Sequence, residues 1–429
     1  ILYFEWAISW IAPFSFLQFG NMLPLTNDAV VLGLLASILG LIFYADHKKV
    51  RLFKYLPAIL FCYFIPAIFN TLGIIDGENS QLYFVASRYL LPACLVLLTI
   101  SVDLGAISKL GSKALALFFT GTIGIVLGGP LAIIIVSFID PEIVGGQGPD
   151  AVWRGLTTIA GSWIGGGANQ TAMKEIFEVD GKLFSSVITV DVFCGYSWMA
   201  ILLYFAGKAE SIDERMGADT SSINYLRERV EAFQKEHNRI PSLTDFMLII
   251  AVGFGITGLS HLFADLIAPW IETNAPHLAK FSLTSQFFWT IVIATTIGVL
   301  LSFTRLKTLE GAGASKIGSA YLYILIATIG MQMDITAIAE RPGLFLVGAI
   351  WISFHAILLI IVARLLKAPL FFMAVGSQAN VGGAASAPVV ASAFHPALAS
   401  VGVLLAVLGY AVGTYAAWLC GILMQGVAP

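Results

Sequence analysis

The sequence predicts an all-α polytopic membrane protein built from two matched halves, and three observations lead there. Of 429 residues, 58% are hydrophobic and 11% charged, with a mean hydropathy of +0.88. A soluble domain carries about a quarter charged residues. A glycine-broken apolar segment occurs twice, as Gly161-Ser162-Trp163-Ile164-Gly165-Gly166-Gly167-Ala168-Asn169-Gln170-Thr171 and as Gly376-Ser377-Gln378-Ala379-Asn380-Val381-Gly382-Gly383-Ala384-Ala385-Ser386-Ala387-Pro388. An Asp-aliphatic-small-Ala-Ile element also occurs twice, from Asp103 to Ile107 and from Asp334 to Ile338.

A membrane span needs about 20 mainly apolar residues. Runs that qualify cover 27–45, 55–75, 82–103, 111–139, 152–177, 183–207, 243–271, 283–304, 314–338, 343–366, 369–394 and 397–425, about twelve in all. Between the sixth and seventh lies a polar stretch, 208–242, whose charged portion from Ser221 to His237 reads as a surface helix with a solvated face. The division is therefore a first repeat over 1–207 opening with a separate segment 1–26, a linker over 208–242 and a second repeat over 243–429. In each half the Asp element is followed by one apolar run, the broken run and a final run.

Basic residues mark cytoplasmic loops. If every run crosses, His47-Lys48-Lys49-Val50-Arg51, Lys109 with Lys113, and Lys174 with Lys182 share one side, and Arg305 with Lys307 and Arg364 with Lys367 agree among themselves. Joining the two sets needs an even number of crossings between Lys182 and Arg305, yet three runs lie there. Either one of those runs does not cross simply, the piece 243–280 with its Pro269 being the expected irregular one, or one charge cluster misleads; the reconciled reading makes the two repeats inverted.

The broken segments carry the chemistry. Each glycine in a helix interior weakens it by roughly 0.8–1 kcal/mol relative to Ala, so three in a row followed by Asn, Gln and Thr read as unwound backbone. Such backbone is tolerated in a bilayer only where protein buries it or a wet cavity receives it, and a pair of interrupted segments points to a transporter's binding site. Small-residue packing between helices is the plainer alternative. The substrate- or ion-binding candidates are Gly166 with Ser162, Asn169, Gln170 and Thr171 in the first segment and Ser377, Gln378, Asn380 and Ser386 in the second, whose side chains supply hard neutral oxygens. These suit an alkali cation or a polar solute rather than a transition metal.

Asp191 is the one acid deep inside the run 183–207. A charge at a helix centre costs some 2.5–3.5 kcal/mol on insertion scales, so it is expected to hold an ion, a proton or a neighbouring helix end. Asn169, Thr171, Asp191, Gln378 and Asn380 are the Na⁺ candidates. Further polar candidates are Asp103, Asp334, Gln332 and His355, with an interfacial or hydrogen-bonded core role as the alternative for each.

Other classes find no support. A net charge of -3 gives no reason to expect nucleic acid. Cys62, Cys94, Cys194 and Cys420 stand singly in apolar runs and read as small buried hydrophobes. Neither GxSxG, HExxH, a P-loop nor a dinucleotide fingerprint occurs in context, so neither an enzyme nor an ATP-driven pump is expected.

Together with the opening Thr26-Asn27-Asp28-Ala29-Val30-Val31-Leu32-Gly33-Leu34-Leu35, the two glycine segments resemble a bacterial integral-membrane family catalogued as a domain of unknown function. That family is distantly similar to the bile-acid sodium symporters, the hydroxycarboxylate transporters and the cation-proton antiporters. The resemblance implies a panel domain beside a core domain with two crossing broken helices and an elevator movement; large apolar panels in transporters often pair, so a homodimer through the panel is a further expectation. It places Ser162, Asn169, Gln170, Thr171, Gln378 and Asn380 at sodium and substrate contacts, and Asp191 where antiporters keep an ion-binding Asp. Val190 departs from the antiporters' paired acid or amide, and the acid that symporters keep near their second crossing is missing.

The expected function is a secondary active transporter of the bacterial plasma membrane, moving a small anionic organic solute with Na⁺ or H⁺ as coupling ion and needing no other cofactor. The alternatives are a Na⁺/H⁺ antiporter without organic substrate and a membrane sensor on a transporter fold.

Overall fold

The computed structural model describes residues 23–50, 53, 58–77, 79–100, 110–218, 241–333, 340–395 and 398–429. Among these the chain is helical, with no strand beyond an isolated bridge between Leu25 and Ile75. The helices are α1 (Asp28–His47), α2 (Ala58–Thr71), α3 (Leu82–Ile100, with a π turn at Ala86–Leu90), α4 (Ser112–Ile139), α5 (Val152–Ile176), α6 (Gly181–Ala206) and α7 (Ala209–Met216). After the linker come α8 (Leu243–Asn274), α9 (Gln286–Leu301), α10 (Ala314–Gly330), α11 (Leu344–Leu365), α12 (Leu370–Val381), α13 (Gly383–Phe394) and α14 (Ala399–Val427).

Several begin where short polar side chains can serve the unpaired N–H groups of a first turn. Asn27 caps α1 through the amides of Ala29 and Val30. Asp180 caps α6, and Ser242 with Asp245 closes a capping box on α8. That box starts a continuous helix that runs through Pro269 to Asn274, so the expected irregularity does not occur at Pro269, and the chain leaves the helix only at Ala275.

Among the described residues α1, α3, α4, α6, α8, α11 and α14 are long and apolar enough to cross a bilayer, and α9 counted with the turn Arg305–Ala312, bent 96° from it, gives an eighth. Helices α2, α10 and α12 are shorter apolar helices. Among the described residues the twelve apolar runs are therefore not matched by twelve such helices. Hydropathy measures how apolar a run is and cannot tell whether it turns back.

The glycine segments do turn back. Helix α5 reverses at Gly166, whose φ of 71° and ψ of −171° lie in a region that glycine alone occupies readily. A methyl on Gly161 would stand 2.6 Å from the Asn169 carbonyl oxygen, whereas eight residues of straight helix separate two positions by about 12 Å. At the open end Trp153 packs edge-on against Phe177 at 5.7 Å, Arg154 Nη1 donates to the Phe177 carbonyl at 2.5 Å, and the Asp180 N–H reaches the Pro149 carbonyl at 3.0 Å. This is hairpin 1.

Hairpin 2 consists of α12 and α13 folded about Gly382 and Gly383. Gln378 Nε2 donates across the limbs to Ser386 Oγ at 2.8 Å, and the Phe371 and Phe394 rings meet at 5.4 Å at the mouth. The expected crossing of two broken helices is therefore corrected: each segment enters and leaves on one face. A glycine-rich break can reverse a helix as well as extend it, and the side chains that pack the limbs together decide between the two.

By compactness the chain forms two units, Ile1–Val85 with Tyr323–Thr336 and Ala86–Leu322 with Ala337–Pro429. Neither coincides with a sequence half. In the first, Asp28 accepts from Ser80 Oγ at 2.7 Å, Phe43 packs on Tyr323 at 4.6 Å, and Asn70 Nδ2 donates to the Met333 carbonyl at 3.4 Å.

Within the second unit both hairpins lie among α4, α6, α11 and α14, and side-chain contacts fix the direction of each helix. One face holds the start of α4, where Lys113 Nζ donates to the Lys367 carbonyl beyond the end of α11 at 3.1 Å. It also holds the end of α6 and the mouth of hairpin 2, because Asp213 of α7 accepts from the Leu370 N–H at 2.7 Å. The opposite face holds the mouth of hairpin 1, the start of α6, and the start of α11, where Arg341 Nη2 meets both Asp150 oxygens at 2.7 Å. Hairpin 2 thus enters from the Lys113 face and hairpin 1 from the Asp150 face.

A candidate site at the hairpin tips

The two reversals meet. A methyl on Gly383, itself at φ 56°, would be 3.7 Å from the Gly166 Cα. Helix α14 passes both tips, since a methyl on its Gly409 would lie 2.6 Å from the Ile164 carbonyl oxygen and 3.3 Å from that of Ala379. Non-helical backbone from both faces is thereby gathered inside protein, the condition under which it can exist at membrane depth.

Asp191 reaches this place from α6 and is buried. Trp163 Nε1, on the first limb of hairpin 1, donates to Oδ1 at 2.6 Å, and Gln170 Nε2, on the second limb, donates to Oδ2 at 2.7 Å. One buried anion thus joins both limbs across the Gly166 reversal, and charge-assisted bonds of this kind are stronger than neutral ones. Trp163 also packs against Trp351 of α11 at 5.2 Å.

Most of the remaining predicted oxygens are occupied by protein. Asn169 is fully buried; its Oδ1 accepts from Thr414 Oγ1 at 2.6 Å and its Nδ2 donates to the Gly165 carbonyl at 3.0 Å. Thr171 Oγ1 donates to the Gly167 carbonyl at 3.0 Å. Asn380 Oδ1 accepts from Thr122 at 2.8 Å, while its Nδ2 serves the Phe118 and Gly376 carbonyls at 3.0 and 2.9 Å. These amides hold the tips to α4 and α14.

Ser377 lies in a polar chain. His355 Nδ1 faces the Gly121 carbonyl at 3.0 Å, an acceptor only, so that nitrogen carries the proton. A neutral imidazole then accepts at Nε2 from Ser377 Oγ, 2.8 Å away, and the hydroxyl accepts in turn from Trp198 Nε1 at 2.8 Å. His355 is fully buried, and every hydrogen in the chain has a place.

Gln378 differs. It is 1% exposed, its Nε2 is spent on Ser386, and its Oε1 has no hydrogen-bond partner among the described residues. Gln332 falls in the other compact unit. Asp103 and Asp334 lie outside the described residues. Arg88, in the π turn of α3, pairs with Glu175 near the mouth of hairpin 1 at 2.9 Å and lies 4.3 Å over the Phe287 ring.

Sequence reasoning missed Trp163, Trp198, Thr122 and Thr414, which supply the donors for Asp191, Ser377, Asn380 and Asn169. Trp163 carried a signal, being a large donor inside a glycine segment. Nothing local marked the others.

The family profile described as a protein of unknown function, DUF819, matches residues 33–427. The chain is also similar to the uncharacterized membrane protein YjcL of Bacillus subtilis (strain 168), 24% identical over 373 residues that cover 82% of this chain and 86% of the relative.

Proposed function

The chain belongs to the DUF819 family, and for this integral membrane protein we propose a secondary active transporter in which a small anionic organic solute binds where the two hairpin tips meet. The observation that carries the reading is the pair of re-entrant hairpins entering from opposite faces and touching at Gly166 and Gly383. Half-helix ends gathered between the faces offer N–H dipole ends to an anion and carbonyls to a cation. In one half the order is α4, hairpin 1, α6; in the other it is α11, hairpin 2, α14, with every direction reversed. That order supports inverted repeats, which let one site face either side in turn.

Na⁺ or H⁺ is the proposed coupling ion, with Asp191 the charge that responds to it. In the elevator form of the proposal the hairpins and their four flanking helices move together. The static panel then includes α3, α8 and α9, which pack through Val96, Ile256 and Ala294. The test is uptake into proteoliposomes of candidate carboxylates under inward gradients of Na⁺, K⁺ or choline, at several pH values. Accumulation that depends on Na⁺ or on a proton gradient is expected. No cation dependence at any pH removes the coupling, and a ligand that binds tightly without ever being accumulated replaces the transporter by a sensor.

A further inference from the structure

The two tips are unequal, and the difference names a substrate. In hairpin 1 the polar groups are matched to one another: Trp163 and Gln170 to Asp191, Asn169 to Thr414 and the Gly165 carbonyl, Thr171 to the Gly167 carbonyl. In hairpin 2, Gln378 presents a buried amide oxygen with no hydrogen-bond partner among the described residues. A native protein rarely strands such an acceptor unless something outside the chain serves it. The same amide is tied through Nε2 to Ser386 in the opening turns of α13, and a methyl on Gly382 would lie 2.6 Å from that nitrogen.

Helix α13 has twelve residues and begins at Gly383 behind Gly382, a residue that supplies no side-chain cap. The first N–H groups of a helix lack carbonyl partners within it and favour an anion. An uncapped helix start that wants negative charge therefore stands beside a buried oxygen that wants a donor. Resting on the transporter reading above, we infer that hairpin 2 binds a small carboxylate carrying a hydroxyl or an ammonium on the carbon next to it. The carboxylate lies on the α13 N-terminus and the neighbouring donor on Gln378 Oε1.

Propionate, lactate and alanine test this, since they share a three-carbon carboxylate skeleton and differ in presenting hydrogen, hydroxyl or ammonium beside it. The readout is the thermal midpoint of the purified full chain in detergent, titrated with each compound in Na⁺ and again in choline. Lactate, alanine or both should bind about tenfold or more tighter than propionate, because a site built around a hydrogen bond rejects the analogue that lacks it. Which of the two binds separates hydroxyl from ammonium recognition.

Gln378→Met keeps the volume but removes both the oxygen and the bond to Ser386, and should bring all three compounds within about twofold of one another while lowering the ligand-free midpoint through the lost tether. If that variant does not fold, Ser386→Ala releases the amide from its tether and should narrow the same preference. Equal binding of propionate by the parent protein, no response to any of the three, or a preference that survives in the folded variants overturns the inference. A Na⁺-dependent shift that persists while all three carboxylates are inert leaves the transporter reading standing and removes only the substrate class.

Discussion

Replacing Asp191 by Asn isolates what the buried carboxylate does. In the parent protein its two oxygens accept from different limbs of hairpin 1, Trp163 at 2.6 Å and Gln170 at 2.7 Å. An amide has one acceptor oxygen, so one limb keeps a neutral bond while the other faces an N–H₂ group. Hydrogen bonds to charged groups contribute about 1.5–3 kcal/mol, and losing one raises the population of an opened tip by about ten- to a hundredfold. Hydrogen exchange reads this locally: amides in the segment 161–171 should exchange faster by that factor, while those of α8, remote in sequence and capped by its own box, should not change. A Trp163→Phe and Asp191→Asn double-mutant cycle then gives the coupling directly, and less than additive loss is expected. Unchanged exchange in 161–171, or strictly additive effects, would refute the claim that this carboxylate joins the limbs.

Other outcomes follow from single contacts. Gly166→Ala should destabilise the protein by about 1–3 kcal/mol through backbone strain alone, because its new methyl would meet only Tyr410, at 3.4 Å; Gly258→Ala in α8, with nothing within 4 Å, is the control that should be neutral or slightly stabilising in thermal unfolding. Glu175→Gln should cost about 1–3 kcal/mol by leaving Arg88 without its carboxylate, and adding Arg88→Met should return part of that loss. Burial raises the Asp213 carboxyl above its ordinary range, against the opposing pull of the Leu370 N–H. Its folded pKa thus exceeds the unfolded value of about 3.9, so the contribution to stability is complete below that value and is lost as pH rises through the folded one. Asp213→Asn, which keeps an acceptor for Leu370, should flatten this part of the thermal midpoint's pH profile, and Asp213→Ala should lower stability at all pH values by about 0.5–2 kcal/mol.

The helices were legible because composition and run length decide them, as α4, α6, α11 and α14 illustrate. The place of the two reversals was legible too, since glycine alone readily accepts the conformation at Gly166, Gly383 also sits at positive φ, and the sequence displays both breaks. What the residues at those breaks do was harder to read. Asn169 and Asn380 look like ion ligands in a string of letters, yet each amide oxygen already accepts a bond, from Thr414 and Thr122, partners 245 and 258 residues away. No local pattern encodes such pairings. Gln378 looks the same as the other amides in sequence and is set apart only by the partner it lacks.

The reversal of α5 also resolves the charge pattern. Reading 152–177 as a span carried Lys174 and Lys182 to the side of Lys113; as a hairpin the segment returns to the face it left, which puts these two lysines beside Asp150 and Arg341, opposite Lys113. Three spans, α6, α8 and α9, then separate Lys182 from Arg305. Trp418 of α14 bonds the Phe281 carbonyl before α9, and Thr296 within α9 meets Tyr415 at 2.7 Å, so α9 runs antiparallel to α14 and delivers Arg305 and Lys307 to the Lys113 face. On this reading the charge cluster at Lys174 and Lys182 is what misleads, and no irregularity of 243–280 is needed. Lys113, Lys208, Arg305, Lys307, Arg364 and Lys367 all gather on one face, which the positive-inside rule assigns to the cytoplasm. On that assignment hairpin 2, with Gln378 and the start of α13, opens its mouth to the cytoplasm, and hairpin 1, held closed by Asp191, opens outward. A cysteine at Lys367 should then react with a membrane-impermeant thiol reagent only in inverted vesicles, and one at Lys182 only in right-side-out ones; the opposite pattern would turn the whole bundle over, and labelling of both from one side would restore α5 as a span.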